Sequence, residues 1–170
     1  MYYGVDYREF FLVCLEWFAD GISSTRKTVR SMLLVQCLSY FLYGAGSFIS
    51  KGYSAAIQNG VSILRNLVAC ANIQGKFVEW GMVVLAVVLG VTFNNMGFVG
   101  LLPVISNFIY SVAVFKLKNN ERSLKVVFII CVSMFAIFNL MIMNVVGVFA
   151  NSSVAFMTFL YLLRSNKQPN

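Results

Sequence analysis

The segment that most constrains the fold of this chain runs from Val126 to Leu163, because it contains no charged residue. A water-soluble domain carries about a quarter charged residues, distributed along the whole chain. Here only 11% of the residues are charged and 59% are hydrophobic, so the charges are too few to cover a surface that faces water. The sequence therefore predicts an integral membrane protein that has the lipid bilayer as its main partner.

Charged and turn-forming residues divide the chain into seven apolar segments. A spanning helix needs about 20 residues, so seven helices leave no room for a separate soluble domain in a chain of 170 residues. The uncharged segment is too long for one span, and we divide it at residues 144–147. The predicted fold is all-α and polytopic, with seven transmembrane helices. They cover roughly residues 7–23, 31–50, 54–73, 78–93, 98–117, 126–143 and 147–163.

The basic residues predict the orientation of the chain in the membrane. Placing the N-terminus outside puts most of them in the cytoplasm, as the positive-inside rule requires. Arg8 and Lys51 then lie outside, and Arg65 lies within the bilayer. The cytoplasmic set comprises Arg26, Lys27, Arg30, Lys76, Lys116, Lys118, Arg122, Lys125, Arg164 and Lys167. An odd number of spans fits this orientation, with the C-terminus in the cytoplasm.

The composition also argues against several classes of function. Histidine is absent, and the four cysteines form no C-x-x-C pair. The chain contains no Walker-type phosphate loop, H-E-x-x-H or G-x-S-x-G motif. We therefore expect no enzyme activity, no cofactor and no metal site. The net charge of +7 comes from short loops between apolar segments rather than from a basic surface, so we expect no nucleic acid partner.

Segments one to three and five to seven share one layout, which indicates an internal repeat. Each triplet reads helix, basic loop, helix, very short outer turn, helix. A shift of 92 residues superposes the triplets without a gap and places Asn59 on Asn151. Segment four lies between them, and one extra span returns the chain to its starting side. The two triplets therefore have the same orientation, as in parallel-repeat carriers.

Two short motifs resemble a known family. Leu101-Leu-Pro-Val-Ile105 opens segment five and Ser54-Ala-Ala-Ile-Gln-Asn59 opens segment three. With the 3+1+3 spacing, they resemble bacterial inner membrane proteins of the YgjV type, related to the SWEET and PQ-loop carriers. This resemblance implies a three-helix bundle over residues 1–73, a linker helix over 74–96, and a second bundle with a short tail over 97–170. It also implies an inner-membrane location and places Asn59 and Asn151 against the substrate.

Charged side chains inside the predicted spans are candidate site residues, because a charge in lipid is costly and normally faces protein or water. Glu16, Asp20 and Arg65 meet this condition. Counting the helical rise puts Glu16 and Arg65 at nearly the same depth, so the two can pair. Asp20, one turn further, can share Arg65 or reach cytoplasmic water. A structural ion pair, contact with a polar or charged substrate, and proton coupling through Glu16 all remain open.

Other polar or aromatic residues add weaker candidates. Asn59 and Asn151 can bind substrate or only join helices, as asparagine commonly does in membranes. Trp17 can stack on a planar ligand or simply pack. Proline leaves a helical carbonyl unpaired, which makes the start of segment five a candidate flexible region. Further donors and acceptors for a cavity are Asn107, Tyr110 and Asn139, and the hinge candidates are Pro103, Gly97 and Gly100.

These observations favour a carrier that moves a small polar metabolite by alternating access, either as a uniporter or linked to protons. A substrate-binding S-component of a vitamin transporter is an alternative, and such proteins usually have six spans. A non-transporting inner-membrane scaffold is another, and it would use its asparagines in helix contacts, without an enclosed polar cavity. A homodimer is compatible with the chain but not required by it.

Overall fold

Seven α-helices make up most of the chain, and no strand occurs among the residues that the structure describes. The structure is a computed structural model that describes residues 7–49, 53–73, 75–94, 96–117, 119–141, 143 and 145–165. For residues 7–10, 12, 13, 16, 46, 47, 49, 53–55 and 146 only the backbone is described. The helices are α1 (Tyr7–Ser24), α2 (Val29–Ile49), α3 (Tyr53–Cys70), α4 (Lys76–Thr92), α5 (Leu101–Lys116), α6 (Glu121–Met141) and α7 (Val145–Ser165).

The predicted and observed helices agree within two residues except at the starts of α5 and α6 and at the end of α3, which lies three residues earlier than predicted. Helix α5 begins three residues later than predicted, because Gly97 has a left-handed φ of 58° and the Asn94 side chain bonds to the backbone of Met96 and Gly97. Helix α6 begins five residues earlier, within a segment predicted to be a polar loop. The Asn120 side chain accepts a hydrogen bond from the Ser123 N–H there, as an N-cap does.

Six of the helices form a closed ring. Along the chain, α1 packs on α2 and α2 on α3, and likewise α5 packs on α6 and α6 on α7. The contacts of α3 with α5 and of α1 with α7 close the ring. Helices α2 and α6 are offset by 92 residues at both ends, and α3 and α7 start 92 residues apart.

Helix α4 packs on α3 and α5 from outside this ring. Its Gly90 allows the close approach, because a Cβ at this position would lie 2.8 Å from a methyl carbon of Val104 on α5 and would also overlap the Gln58 amide on α3. Gln58 donates to the Ala86 carbonyl of α4 at 3.0 Å. A missing side chain and a buried hydrogen bond therefore fix α4 against the seam between the two triplets.

Many polar side chains are buried beside the hydrophobic core, and many large apolar side chains are exposed. Gln36, Asn66 and Asn139 are fully buried, whereas Phe77 and Phe98 are 92% and 91% exposed. Soluble proteins show the opposite distribution, so this surface suits contact with lipid. Among the described residues, α6 and the Gly147–Ser165 part of α7 are long and apolar enough to cross a bilayer, and α5 is apolar but shorter.

A buried lysine joins the ends of three structural elements. Lys125 on α6 forms an ion pair with Glu121 and donates to the carbonyl of Arg26 in the α1–α2 connection at 2.7 Å. Its ammonium also lies 3.3 Å from the centre of the Tyr161 ring on α7. The positive-inside prediction treated Lys125 as a loop residue; in the fold its side chain is fully buried.

Candidate functional site

A cavity of about 50 Å³ lies inside the ring of six helices. One water molecule needs roughly 10–15 Å³ of such space, so the cavity admits a few water molecules or a small ligand. The described part of α4 contributes no residue to the wall. The wall comprises Asp20 of α1, Tyr40 and Tyr43 of α2, Asn59 of α3, Ser106, Asn107 and Tyr110 of α5, Phe128, Cys131, Val132 and Phe135 of α6, and Asn151 of α7.

Half of this wall consists of residues related by the 92-residue shift. Asn59 corresponds to Asn151. The same shift relates Tyr40 to Val132 and Tyr43 to Phe135. On α2 and α6, and on α3 and α7, equivalent positions therefore face the same space.

Two amides connect α3 and α5 next to the cavity. Asn107 donates from Nδ2 to Oε1 of Gln58 at 2.7 Å, while its Oδ1 accepts from Ser62 at 3.5 Å. The Gln58 amide in turn bonds to α4 at Ala86. The donor and the acceptor of the Asn107 amide thus both bond to other residues of the protein, which makes this side chain a fixed part of the wall.

Arg65 lies beside the cavity, fully buried beneath two of its tyrosines. Its guanidinium lies 4.9 Å from the centre of the Tyr110 ring and 5.7 Å from that of Tyr40. It donates to Asn66 Oδ1 at 3.0 Å, to Ser111 Oγ at 3.2 Å and to the Tyr40 hydroxyl at 3.4 Å. Neutral acceptors and ring faces therefore surround this cation.

The predicted Glu16–Arg65 pair lies outside what the structure describes, because the side chain of Glu16 is not among the described ones. Among the described side chains, Arg65 forms no ion pair, and Lys125–Glu121 is the salt bridge present. Asp20 was expected to share Arg65 or to reach water, yet its Oδ1 is buried without a hydrogen-bond partner. Asp20 instead borders the cavity, with Ser39 as a side-chain partner.

The fold brings four of the predicted ligand-binding residues to the cavity, namely Asn59, Asn107, Tyr110 and Asn151. Trp17 and Asn139 do not belong to the described wall. Trp17 is 38% exposed on the outer side of α1, and Asn139 is fully buried and donates to the Phe135 carbonyl at 2.9 Å. Asn151 makes the same kind of bond to Gly147, also at 2.9 Å, while lining the cavity.

The three hinge candidates cluster where α4 turns into α5. Gly97 has a left-handed φ, and a Cβ on Gly100 would lie 2.8 Å from Cγ of Asn94. Pro103 falls in the first turn of α5, where the backbone N–H has no helical partner in any case. The expected unpaired carbonyl therefore does not arise from Pro103, and a hinge at these residues stays a prediction.

Several buried polar residues were not predicted from the sequence. Gln36 accepts from the Tyr110 hydroxyl at 2.9 Å and from Asn66 at 3.3 Å. Gln58, Ser62 and Asn66 follow one face of α3 at helical spacing. A polar row at positions i, i+4 and i+8 in an apolar helix indicates a face turned toward protein. That spacing was the signal that could have identified them.

The chain resembles a described protein family. A protein-family model described as Imp-YgjV, bacterial inner membrane protein, matches residues 11–169. Neither a curated protein nor a solved structure matches the chain. The matched span covers α2 to α7 completely and α1 from its second turn onward.

Proposed function

The chain belongs to the Imp-YgjV family of bacterial inner membrane proteins, and we propose that it is a carrier for a small polar metabolite. Transport would proceed by alternating access, as a uniporter or linked to protons, without enzymatic chemistry, cofactor or metal. The observation that carries the proposal is the cavity between the helices with an asparagine from each triplet in its wall, Asn59 and Asn151. Carriers built from repeats bind their substrates at such an interface between the repeats.

The proposed architecture is SWEET-like, with two parallel three-helix bundles joined by α4. The constant offset between equivalent helices supports it, as does the shared set of equivalent wall positions. The contacts between helices also match. The α1–α2 and α2–α3 contacts of the first triplet recur as α5–α6 and α6–α7 in the second, and the α3–α5 contact between the triplets has its counterpart in the α1–α7 contact. We propose an external N-terminus and a cytoplasmic C-terminus from the distribution of basic residues.

The alternatives fit these features less well. An S-component usually has six spans, whereas the described chain forms seven helices. A scaffold would lack a polar cavity between its helices, whereas Asn59 and Asn151 both line one. A homodimer stays compatible with the proposal, because both asparagines come from one chain.

Uptake by purified protein in liposomes tests the proposal. Labelled ethanolamine, erythritol and glycolate supply a cationic, a neutral and an anionic solute, and protein-free liposomes measure the leak. We expect at least one solute to accumulate faster with the protein. Asn59→Ala and Asn151→Ala should each reduce that rate by about tenfold or more, as expected when a hydrogen bond to a substrate is lost.

The matched control is Ser152→Ala, which removes an exposed hydroxyl next to Asn151 and should transport normally. Elution volume and thermal unfolding must be unchanged in all three variants. Normal uptake by both asparagine variants would remove the proposed binding site. Absence of protein-dependent uptake for every solute would contradict the carrier proposal itself.

A further inference from the structure

The cavity has one charged residue in its described wall, the carboxylate of Asp20. The 92-residue shift places Asp20 on Val112, so the second triplet offers no equivalent charge. The asparagine pair is common to both triplets, whereas this negative charge is specific to the first. It therefore marks one side of an otherwise matched cavity.

Asp20 lacks the partners that a buried carboxylate normally has. Its Oδ1 is shielded from solvent and accepts no hydrogen bond, while Ser39 is the side chain that interacts with the group. An ionised acceptor left unpaired in the interior keeps the full cost of its desolvation. Arg65 does not offset this cost through an ion pair with Asp20, because the described salt bridges do not include one.

The rest of the wall suits a cation. Tyr43, Phe128 and Phe135 border the cavity, and aromatic ring faces attract ammonium groups. Phe128 packs at a tilt against Tyr110, with ring centres 5.6 Å apart. The amides of Asn59 and Asn151 add hydrogen-bonding groups. Arg65 lies against the Tyr40 and Tyr110 rings but is not part of the described wall, so Asp20 is the charge that a ligand in the cavity would contact.

We propose that the cavity binds a small organic cation bearing a primary ammonium group, and that Asp20 is its counter-charge. The volume of about 50 Å³ limits the ligand to a few heavy atoms. This inference deepens the proposed function, since it assigns a substrate class to the same cavity. Asn59 and Asn151 contact the uncharged part of the ligand.

Thermal unfolding of the full chain in detergent tests the inference with three probes of similar size. Ethanolamine is the cation, ethylene glycol its neutral analogue and glycolate the anion. Ethanolamine should raise the unfolding temperature of the wild type, and the other two should not. Asp20→Asn should weaken ethanolamine binding about tenfold or more, since the ammonium loses its opposite charge.

Two further variants separate binding from folding. Asp20→Glu keeps the charge and should still bind ethanolamine, though more weakly than the wild type. Glu79→Gln removes a carboxylate on α4, outside the cavity wall, and should leave ethanolamine binding unchanged. Without ligand, Asp20→Asn should be at least as stable as the wild type, because a desolvated charge is gone. A purely structural Asp20 would give the opposite result.

The outcomes also separate this inference from the carrier proposal. Equal responses to ethanolamine and ethylene glycol, or unchanged ethanolamine binding in Asp20→Asn, would overturn it. Uptake of erythritol or glycolate that requires Asn59 and Asn151 would likewise overturn it and leave a carrier. Ethanolamine binding that depends on Asp20 but comes without any uptake would keep the inference and overturn transport.

Discussion

Arg65 is the largest side chain that the described part of the molecule buries completely. Its three nitrogens each donate to a different neutral acceptor, on α2, α3 and α5. This arrangement depends on the planar, fork-shaped guanidinium, which lysine does not reproduce. The residue therefore joins the two triplets next to the cavity through shape as much as through charge.

We expect Arg65→Lys to lower the free energy of unfolding by about 2 kcal/mol, because a single ammonium cannot reach all three acceptors. Thermal unfolding of the purified protein measures this loss. Arg164→Lys, at the exposed end of α7, is the matched control and should unfold like the wild type. Equal stability of the two variants would contradict a structural role for the guanidinium.

The sequence identified polar residues of the cavity better than it identified their contacts. The repeat and the family resemblance brought out Asn59 and Asn151, and counting depth along a helix brought out Arg65. Direction around the helix axis depends on the packing of neighbouring helices, which the sequence does not specify. For this reason Trp17, which is as deep as its neighbours, lies on the outer side of α1, while Gln36 and Gln58 were missed.

At the scale of helices, the contact of α4 with the ring depends on one glycine. We expect Gly90→Ala to lower the free energy of unfolding by about 1–3 kcal/mol, because the new Cβ overlaps Val104 and the Gln58 amide. The overlap also disturbs the hydrogen bond from Gln58 to α4. Thermal unfolding measures the change.

Gly81→Ala provides the control on the same helix. Beyond the local backbone of α4, no atom lies within 4 Å of a Cβ at Gly81, and alanine is the better helix former. This variant should be as stable as the wild type or more so. If both glycine variants behave alike, close packing at Gly90 does not hold α4 in place.

Helix number and approximate position could be predicted because apolar runs and charged loops alternate clearly. The starting residues of α5 and α6 could not be predicted in this way, because local hydrogen bonds from side chains determine them. Asn120 caps α6 within a segment whose composition is typical of a loop, and Asn94 organises the turn before α5. Single residues of this kind leave little trace in hydropathy.

At the scale of the whole molecule, the proposed orientation can be tested with single cysteines in a cysteine-free background. The substitutions are Phe98→Cys and Asn119→Cys. Phe98 lies in the α4–α5 connection and Asn119 in the α5–α6 connection, and both native side chains are exposed. With an external N-terminus, a membrane-impermeant maleimide should label position 98 in intact spheroplasts. Position 119 should react only after the membrane is permeabilised.

The same experiment addresses the number of crossings. Labelling of both positions from one side would contradict a span at α5. Labelling of position 119 alone in intact spheroplasts would show that the chain has the opposite orientation. Thr25→Cys, in the α1–α2 connection, is the matched control and should behave like position 119. These outcomes do not depend on transport, so they test the architecture by itself.

The peripheral place of α4 bears on how a chain of this kind can arise by gene duplication. Three crossings leave a chain on the opposite side of the bilayer, so fusing two copies of a three-helix ancestor directly would insert the second copy upside down. One added crossing corrects the direction of insertion. In the proposed architecture α4 lies on the perimeter, so it can do so without displacing any contact between the two proposed repeats, which then remain free to diverge.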